Sequence, residues 1–168
     1  NKTHAQAITA AASRTFNGLT GYLATILTEE ENRFIDVKIS DRSVWIGGKY
    51  NGTEWEWITG PVGDQVSFWT GTDPGSAISG VYAEWEPGQP DDSDVCLSTN
   101  YDGRDADSLG NWDDLTCTLS KKWVVEYGGN GGTVLKQAST TFDVGAPTAP
   151  LQVSGVSVSA GNAQVTVS

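Results

Sequence analysis

Five side chains with oxygen donors stand close together in this chain: Gln89, Asp91 and Asp94 just before Cys96, and Asp113 and Asp114 just before Cys117. Pro90 separates the first two and Trp112 precedes the last pair. Hard oxygen ligands gathered from loops suit Ca²⁺, which takes six to eight of them in loose geometry. Zn²⁺ would call for His or thiolate, and the stretch from Trp85 to Cys117 contains no His. The competing reading is a solvated loop in an acidic protein. Cys96 and Cys117 bracket part of the cluster. They read either as two thiols or as a disulfide, which in the simple chain model would contribute roughly 3 kcal/mol by closing that loop.

Catalytic readings have less behind them. Paired carboxylates can hydrolyse a glycoside, but no acid/base pair stands out. His4 is the only histidine, which leaves no Ser-His-Asp set; it reads as a surface or half-buried residue of a helix. The chain is therefore expected not to be an enzyme.

The elements that must position the cluster can be read from pattern. Residues 3–16 read as a helix, with His4, Ala7, Ile8, Ala11 and Ala12 at helical spacing, ended by Gly18 and Gly21. Gly21 to Leu27 reads as a short apolar strand. A second helix opens at Thr28, where Thr28 and Glu31 form a capping box and Glu29 to Glu31 complement the helix dipole. Phe34, Ile35 and Val37 are expected to face inward, and the helix to stop near Ser40. From Val44 the pattern is β: Val44 to Gly48 as a buried strand, Glu54 to Ile58 alternating charge with aromatic rings, then short aromatic segments at Val66–Trp69 and Val81–Trp85. Residues 86–116 have little periodicity, and a long irregular loop in a compact domain is usually functional. Trp123 to Tyr127 reads as a strand, as does Val134 to Val144. Trp45, Trp55, Trp57 and Trp123 read as core, and Trp112 as packed beneath the metal loop.

Composition fits this picture. The chain has 168 residues, seven Trp, five Tyr and four Phe, so it can build a core. Its net charge of −11 disfavours nucleic acid and anionic membranes as partners, and no apolar run approaches a membrane span. With no Met at any position, it reads as an excised piece of a longer chain. Domain boundaries are expected at 1–145, a linker at 146–150 and a partial β-sandwich at 151–168. There Val153, Val156, Val158, Val165 and Val167 alternate with polar residues around Ala160-Gly161-Asn162, resembling the opening strands of a fibronectin type III domain. Asn51-Gly52-Thr53 and Asn1-Lys2-Thr3 match glycosylation acceptors, the first in a plausible turn.

The order of motifs over residues 1 to about 127 resembles a C-type lectin-like domain: Leu23-Ala24-Thr25-Ile26 between two helices, Trp45-Ile46-Gly47-Gly48, Trp55-Glu56-Trp57 before Thr59-Gly60, Trp85 before Gln89-Pro90-Asp91, Trp112-Asp113-Asp114, and Val124-Val125-Glu126. The resemblance implies an α+β fold of two helices, small antiparallel sheets and a long Ca²⁺-binding loop. It also implies that Cys96 and Cys117 form the family's inner disulfide. Gln89, Asp91, Asp94, Asp113 and Asp114 become ligands of a sugar-binding Ca²⁺, with Gln89, Asp91, Asp113 and Asp114 also touching the sugar and Pro90 cis. The Gln-Pro-Asp order goes with galactose-like ligands in that family, whose members usually add a Trp and a glycine-rich loop after it; here Asp92-Ser93-Asp94 follows directly, leaving Tyr101 or Trp69 as substitutes for the missing ring. The outer disulfide is missing, with Val125 and Ala11 or Ala12 in its places. Lys49 and Asn51 stand where some members bind an accessory Ca²⁺, so no second ion is expected. Asp94 follows Asp91 more closely than is usual. The family's first strand, which should precede the first helix and pair with Trp123–Tyr127, is either cut off or replaced by Val134–Val144. The expectation is a Ca²⁺-dependent carbohydrate-binding module of a larger secreted or cell-surface adhesin of bacterial type, with adjacent domains. The alternative is a lectin-like domain that binds a protein or an ice surface, with calcium structural or absent.

Overall fold

The structure is a computed structural model. It describes residues 1–39, 43–73, 75–91, 94–99 and 111–128, and the backbone of two further pairs of residues, 157–158 and 165–166. Its elements are α1 (His4–Ala12), β1 (Thr15–Phe16), β2 (Leu19–Leu23), α2 (Glu29–Lys38), β3 (Val44–Tyr50), β4 (Glu54–Trp57), β5 (Ser67–Thr70), β6 (Ser76–Ala77), β7 (Cys96–Thr99), β8 (Trp112–Leu115), β9 (Lys122–Trp123), β10 (Val125–Tyr127), β11 (Ser157–Val158) and β12 (Val165–Thr166).

Helix α1 starts at a complete capping box. Thr3 Oγ1 accepts from Gln6 N–H, and the Gln6 side chain accepts from Thr3 N–H at 3.2 Å. It ends at Ala12, earlier than its composition predicts, because Asn17-Gly18 forms the tip of a hairpin. Both residues have positive φ, 49° and 80°, as a two-residue primed turn requires. The turn pairs Phe16 with Leu19 and Thr15 with Thr20. The predicted Gly21–Leu27 strand therefore sits earlier, as Leu19–Leu23, and continues the sheet to β10, where Glu126 faces Tyr22.

In α2, Thr28 Oγ1 accepts from Glu31 N–H at 3.2 Å, as a cap should, but the returning carboxylate takes the N–H of Leu27, at 2.7 Å, one residue before the cap. The inward face also differs from expectation. Asn32 and Ile35 are buried, whereas Phe34 and Val37 are 63 % and 75 % exposed. Positions three apart share a helix face, so 32 and 35 point to the core and 34 and 37 away from it.

The larger sheet runs β6-β5-β4-β3-β7-β8, with β9 parallel to β3. Trp55 and Trp57 alternate into its core as predicted, joined by Phe68 and Trp112, all almost fully buried. Trp85 packs edge-on against Trp55 at 4.9 Å between centroids. Burying an aromatic ring of this size contributes about 4–6 kcal/mol of transfer free energy. Val81–Trp85 forms no strand; Trp85 makes a single parallel bridge to Trp112. A second cluster joins Ala7, Ala11 and Leu23 to Trp45 and Cys96. His4 belongs to it rather than to the surface. It is 2 % exposed, its Nε2 lies 3.0 Å from Ile46 O, and its ring meets Trp45 edge-on. Trp123 is half-buried, below Arg14, rather than core. Of the first strand, the described residues keep a bridge between Lys2 and Lys121. β11 and β12 pair antiparallel, Ser157 with Thr166 and Val158 with Val165; Val134–Val144 and the 146–150 linker lie outside the described residues.

Candidate functional site

Three structural features bring the acidic residues together. Strand β7 pairs with β8, setting Ser98 opposite Asp113 and Leu97 opposite Asp114. The Cys96–Cys117 disulfide joins the far ends of that strand pair, as the motif order implied. The segment before Gln89 is sewn to the start of β8 by Trp112 N–H to Glu84 O, 2.7 Å, and Glu86 N–H to Trp112 O, 2.9 Å. A tight turn follows, with Gln89 N–H on Glu86 O and Gly88 at φ 91°. That sign of φ favours glycine. The Gln89–Pro90 bond is cis.

Asp114 is the hub. Its Oδ1 accepts from Asp91 N–H at 3.0 Å and its Oδ2 from Asp94 N–H at 3.1 Å. One buried carboxylate therefore holds the two ends of the Asp91–Asp94 segment. Asp94 is fixed in turn, its Oδ1 accepting from the Thr116 hydroxyl at 2.6 Å. Trp112 lies beneath, fully buried, with its indole N–H on the buried Asn32 Oδ1 at 3.0 Å.

The electrostatics are those of crowded like charges. Burial pushes the Asp113 carboxyl up to about 6, and Asp114, Glu86 and Asp91 add to the rise, while Lys121 opposes it. Burial also raises Asp114, as does the Asp91 charge, against backbone N–H bonds, those of Asp91 and Asp94 foremost, that favour its charged form. Glu86 is the member that sequence reasoning missed. The signal was its place at the start of the turn leading to Gln89, three residues before the motif.

Asp113 and Asp114 are successive strand residues and so leave opposite faces. Among the described residues, no three acidic, histidine or cysteine side chains converge closely enough to enclose an ion. The donor chemistry nevertheless fits a hard cation. Every candidate offers oxygen, and Gln89 Oε1 is a buried acceptor with no hydrogen-bond partner. An acceptor left in that state costs about 1–3 kcal/mol, which a bound cation would offset. Of the rings considered as a sugar platform, Trp69 is half-buried against Trp85, and Tyr101 lies outside the described residues.

A profile of the family described as "Lectin C-type domain" matches residues 8–127. The chain belongs to the C-type lectin domain family. Among its relatives, halomucin of Haloquadratum walsbyi (strain DSM 16790 / HBSQ001) is 34 % identical over 142 residues, covering 82 % of this chain and 2 % of halomucin. Asialoglycoprotein receptor 1 of Rattus norvegicus is 27 % identical over 106 residues, covering 62 % of this chain and 32 % of the receptor. This C-type lectin domain thus spans a small part of the curated relatives it matches. Among solved structures, a calcium-independent type II antifreeze protein is 26 % identical with a TM-score of 0.50, covering 75 % of this chain and 79 % of that one. The two helices with antiparallel sheets are the lectin-domain fold. No helix among the described residues is long and apolar enough to cross a membrane.

Proposed function

We propose that this C-type lectin domain binds carbohydrate through a Ca²⁺ ion held by Gln89, Asp91, Asp94, Asp113 and Asp114, within a larger secreted or cell-surface adhesin of bacterial type. The observation that carries the reading is the meeting of the Asp91–Asp94 segment with Asp114, beside a half-buried Asp113 and the unpartnered Gln89 oxygen. When bound, the ion supplies coordination positions for two vicinal sugar hydroxyls. Around it, Gln89 donates its amide N–H to a sugar oxygen, while Asp91, Asp113 and Asp114 accept hydroxyl protons. The order Gln89-Pro90-Asp91 favours galactose-type ligands, and the asialoglycoprotein in the rat relative's name agrees with a glycan ligand. The residues at 151–168 are then the start of a fibronectin-like neighbour after the 146–150 linker.

Thermal melting with millimolar Ca²⁺ or with EDTA tests the ion, since a ligand of the folded state alone raises the midpoint. A glycan array with and without EDTA tests the sugar. Gln89→Glu combined with Asp91→Asn is expected to shift preference toward mannose-type glycans; unchanged selectivity would place specificity elsewhere. The second reading, a protein or ice ligand with calcium structural or absent, draws on the likeness to a calcium-independent antifreeze protein and on Asp114 tying the loop with hydrogen bonds alone. Protein or ice binding that survives EDTA, or no calcium-dependent rise in midpoint, would favour it.

A further inference from the structure

We propose that Asn51 is an acceptor for N-linked glycosylation. Asn51-Gly52-Thr53 is an Asn-x-Thr acceptor sequence at the tip of the β3–β4 hairpin, and all three residues are exposed. The local bonding leaves the reacting groups available. Asn51 Oδ1 accepts from Thr53 N–H at 3.0 Å and Glu54 N–H at 2.9 Å, so the amide oxygen is turned to the backbone. Among the described residues neither Asn51 Nδ2 nor the Thr53 hydroxyl has a hydrogen-bond partner. Gly52 has φ 103°, and a methyl group added there would meet nothing within 4 Å, so the tip is uncrowded.

The other acceptor sequence, Asn1-Lys2-Thr3, makes the contrast. Thr3 Oγ1 is occupied as the α1 cap, and Lys2 is bonded to Lys121 by both its N–H, at 2.8 Å, and its carbonyl, at 3.0 Å.

The co-substrate is an oligosaccharide carried on a polyprenyl diphosphate, with an oligosaccharyltransferase as catalyst. Asn51 Nδ2 forms a bond to the anomeric carbon. The bond from that carbon to the diphosphate oxygen breaks, the diphosphate leaves with the electron pair, and one amide proton passes to a base of the transferase. The glycan so attached stands beside the acidic loop, because Tyr50 N–H bonds Val95 O at 3.0 Å, next to Asp94.

The experiment is secretion of the whole chain from cultured animal cells, with intact and peptide mass measured before and after peptide-N-glycosidase treatment. A glycosidase-sensitive mass increase mapped to Asn51 is expected in the wild type and in Thr53→Ser, and is expected to be lost in Asn51→Gln and Thr53→Ala. Secreted, disulfide-closed wild type with a bare Asn51, or with its glycan on Asn1 alone, overturns the proposal. For a variant that is retained, the glycosidase-dependent gel shift of the intracellular protein gives the same comparison without requiring folding.

Discussion

At the residue scale, half-buried Asp113 and buried His4 are shifted in opposite directions. Burial first, and then the like charges of Asp114, Glu86 and Asp91 against Lys121, hold Asp113 up at about 6. Asp113→Asn is therefore expected to raise the melting midpoint in EDTA, by relieving repulsion, and to lower calcium affinity about tenfold or more. Calorimetry and melting together check both signs; a variant that titrates calcium like wild type removes Asp113 from the ligand set. His4 is isolated in the core beside Trp45, and burial lowers its pKa, with Lys49 adding a little against the hydrogen bond to Ile46. A lowered histidine is neutral when folded. Above about pH 6.5, the unfolded value, both states are neutral and nothing is lost. As pH falls below that value, the unfolded chain gains a proton that folded His4 does not, and stability drops. Unfolding measured at pH 7.5 and 5.5 should show a smaller loss, or a larger gain, on acidification in His4→Gln than in wild type; equal changes would show that His4 does not titrate in that window.

At the scale of elements, the sequence was most readable where period and cap agree. Trp55 and Trp57 alternate into the core, and Thr28 caps α2, because both signals are local. Other features depended on tertiary partners. The face of α2 is chosen by Asn32 reaching the indole of Trp112, a contact 80 residues away in sequence, so Phe34 and Val37 were misread on hydrophobicity alone. The early end of α1 is set by the Asn17-Gly18 turn, which Ala-rich composition hid. Of the candidate site, the residue types and the disulfide were legible. The tie between Asp114 and the backbone of Asp91 and Asp94, and the presence of Glu86, were not, since both follow from the bridge of Trp85 to Trp112. Gly47 illustrates another long-range constraint. A Cβ there would overlap the Thr59 hydroxyl and lie 2.9 Å from Leu23 O, where that hydroxyl donates to Leu23 O at 2.8 Å. Gly47→Ala is expected to cost about 1–3 kcal/mol by overpacking, measured by denaturant unfolding. An unchanged midpoint would mean that the β2–β3 contact can open without loss.

At the scale of the whole molecule, a net charge of −11 on 168 residues makes self-repulsion a global property. Salt screens exposed charges over about 10 Å at 0.1 M. Raising NaCl from about 0.05 to 0.5 M is accordingly expected to raise the melting midpoint in EDTA. A flat response would show that the acidic groups are already locally compensated. The same excess charge favours divalent cations over anionic partners, consistent with the site proposed above.

The antiparallel bridge between Lys2 and Lys121, followed by β10 and Gly128, has a mechanical consequence. A chain entering at Lys2 is clasped to Lys121, and one leaving at Gly128 passes beside Leu19 of β2. A pull along that chain loads this short bridge and the β2–β10 pairing first. Unravelling from the Gly128 end stops at Cys117, where the disulfide carries the load to Cys96 and bypasses the chain between them. That covalent bypass keeps tension out of the β7–β8 pair that carries Asp113 and Asp114.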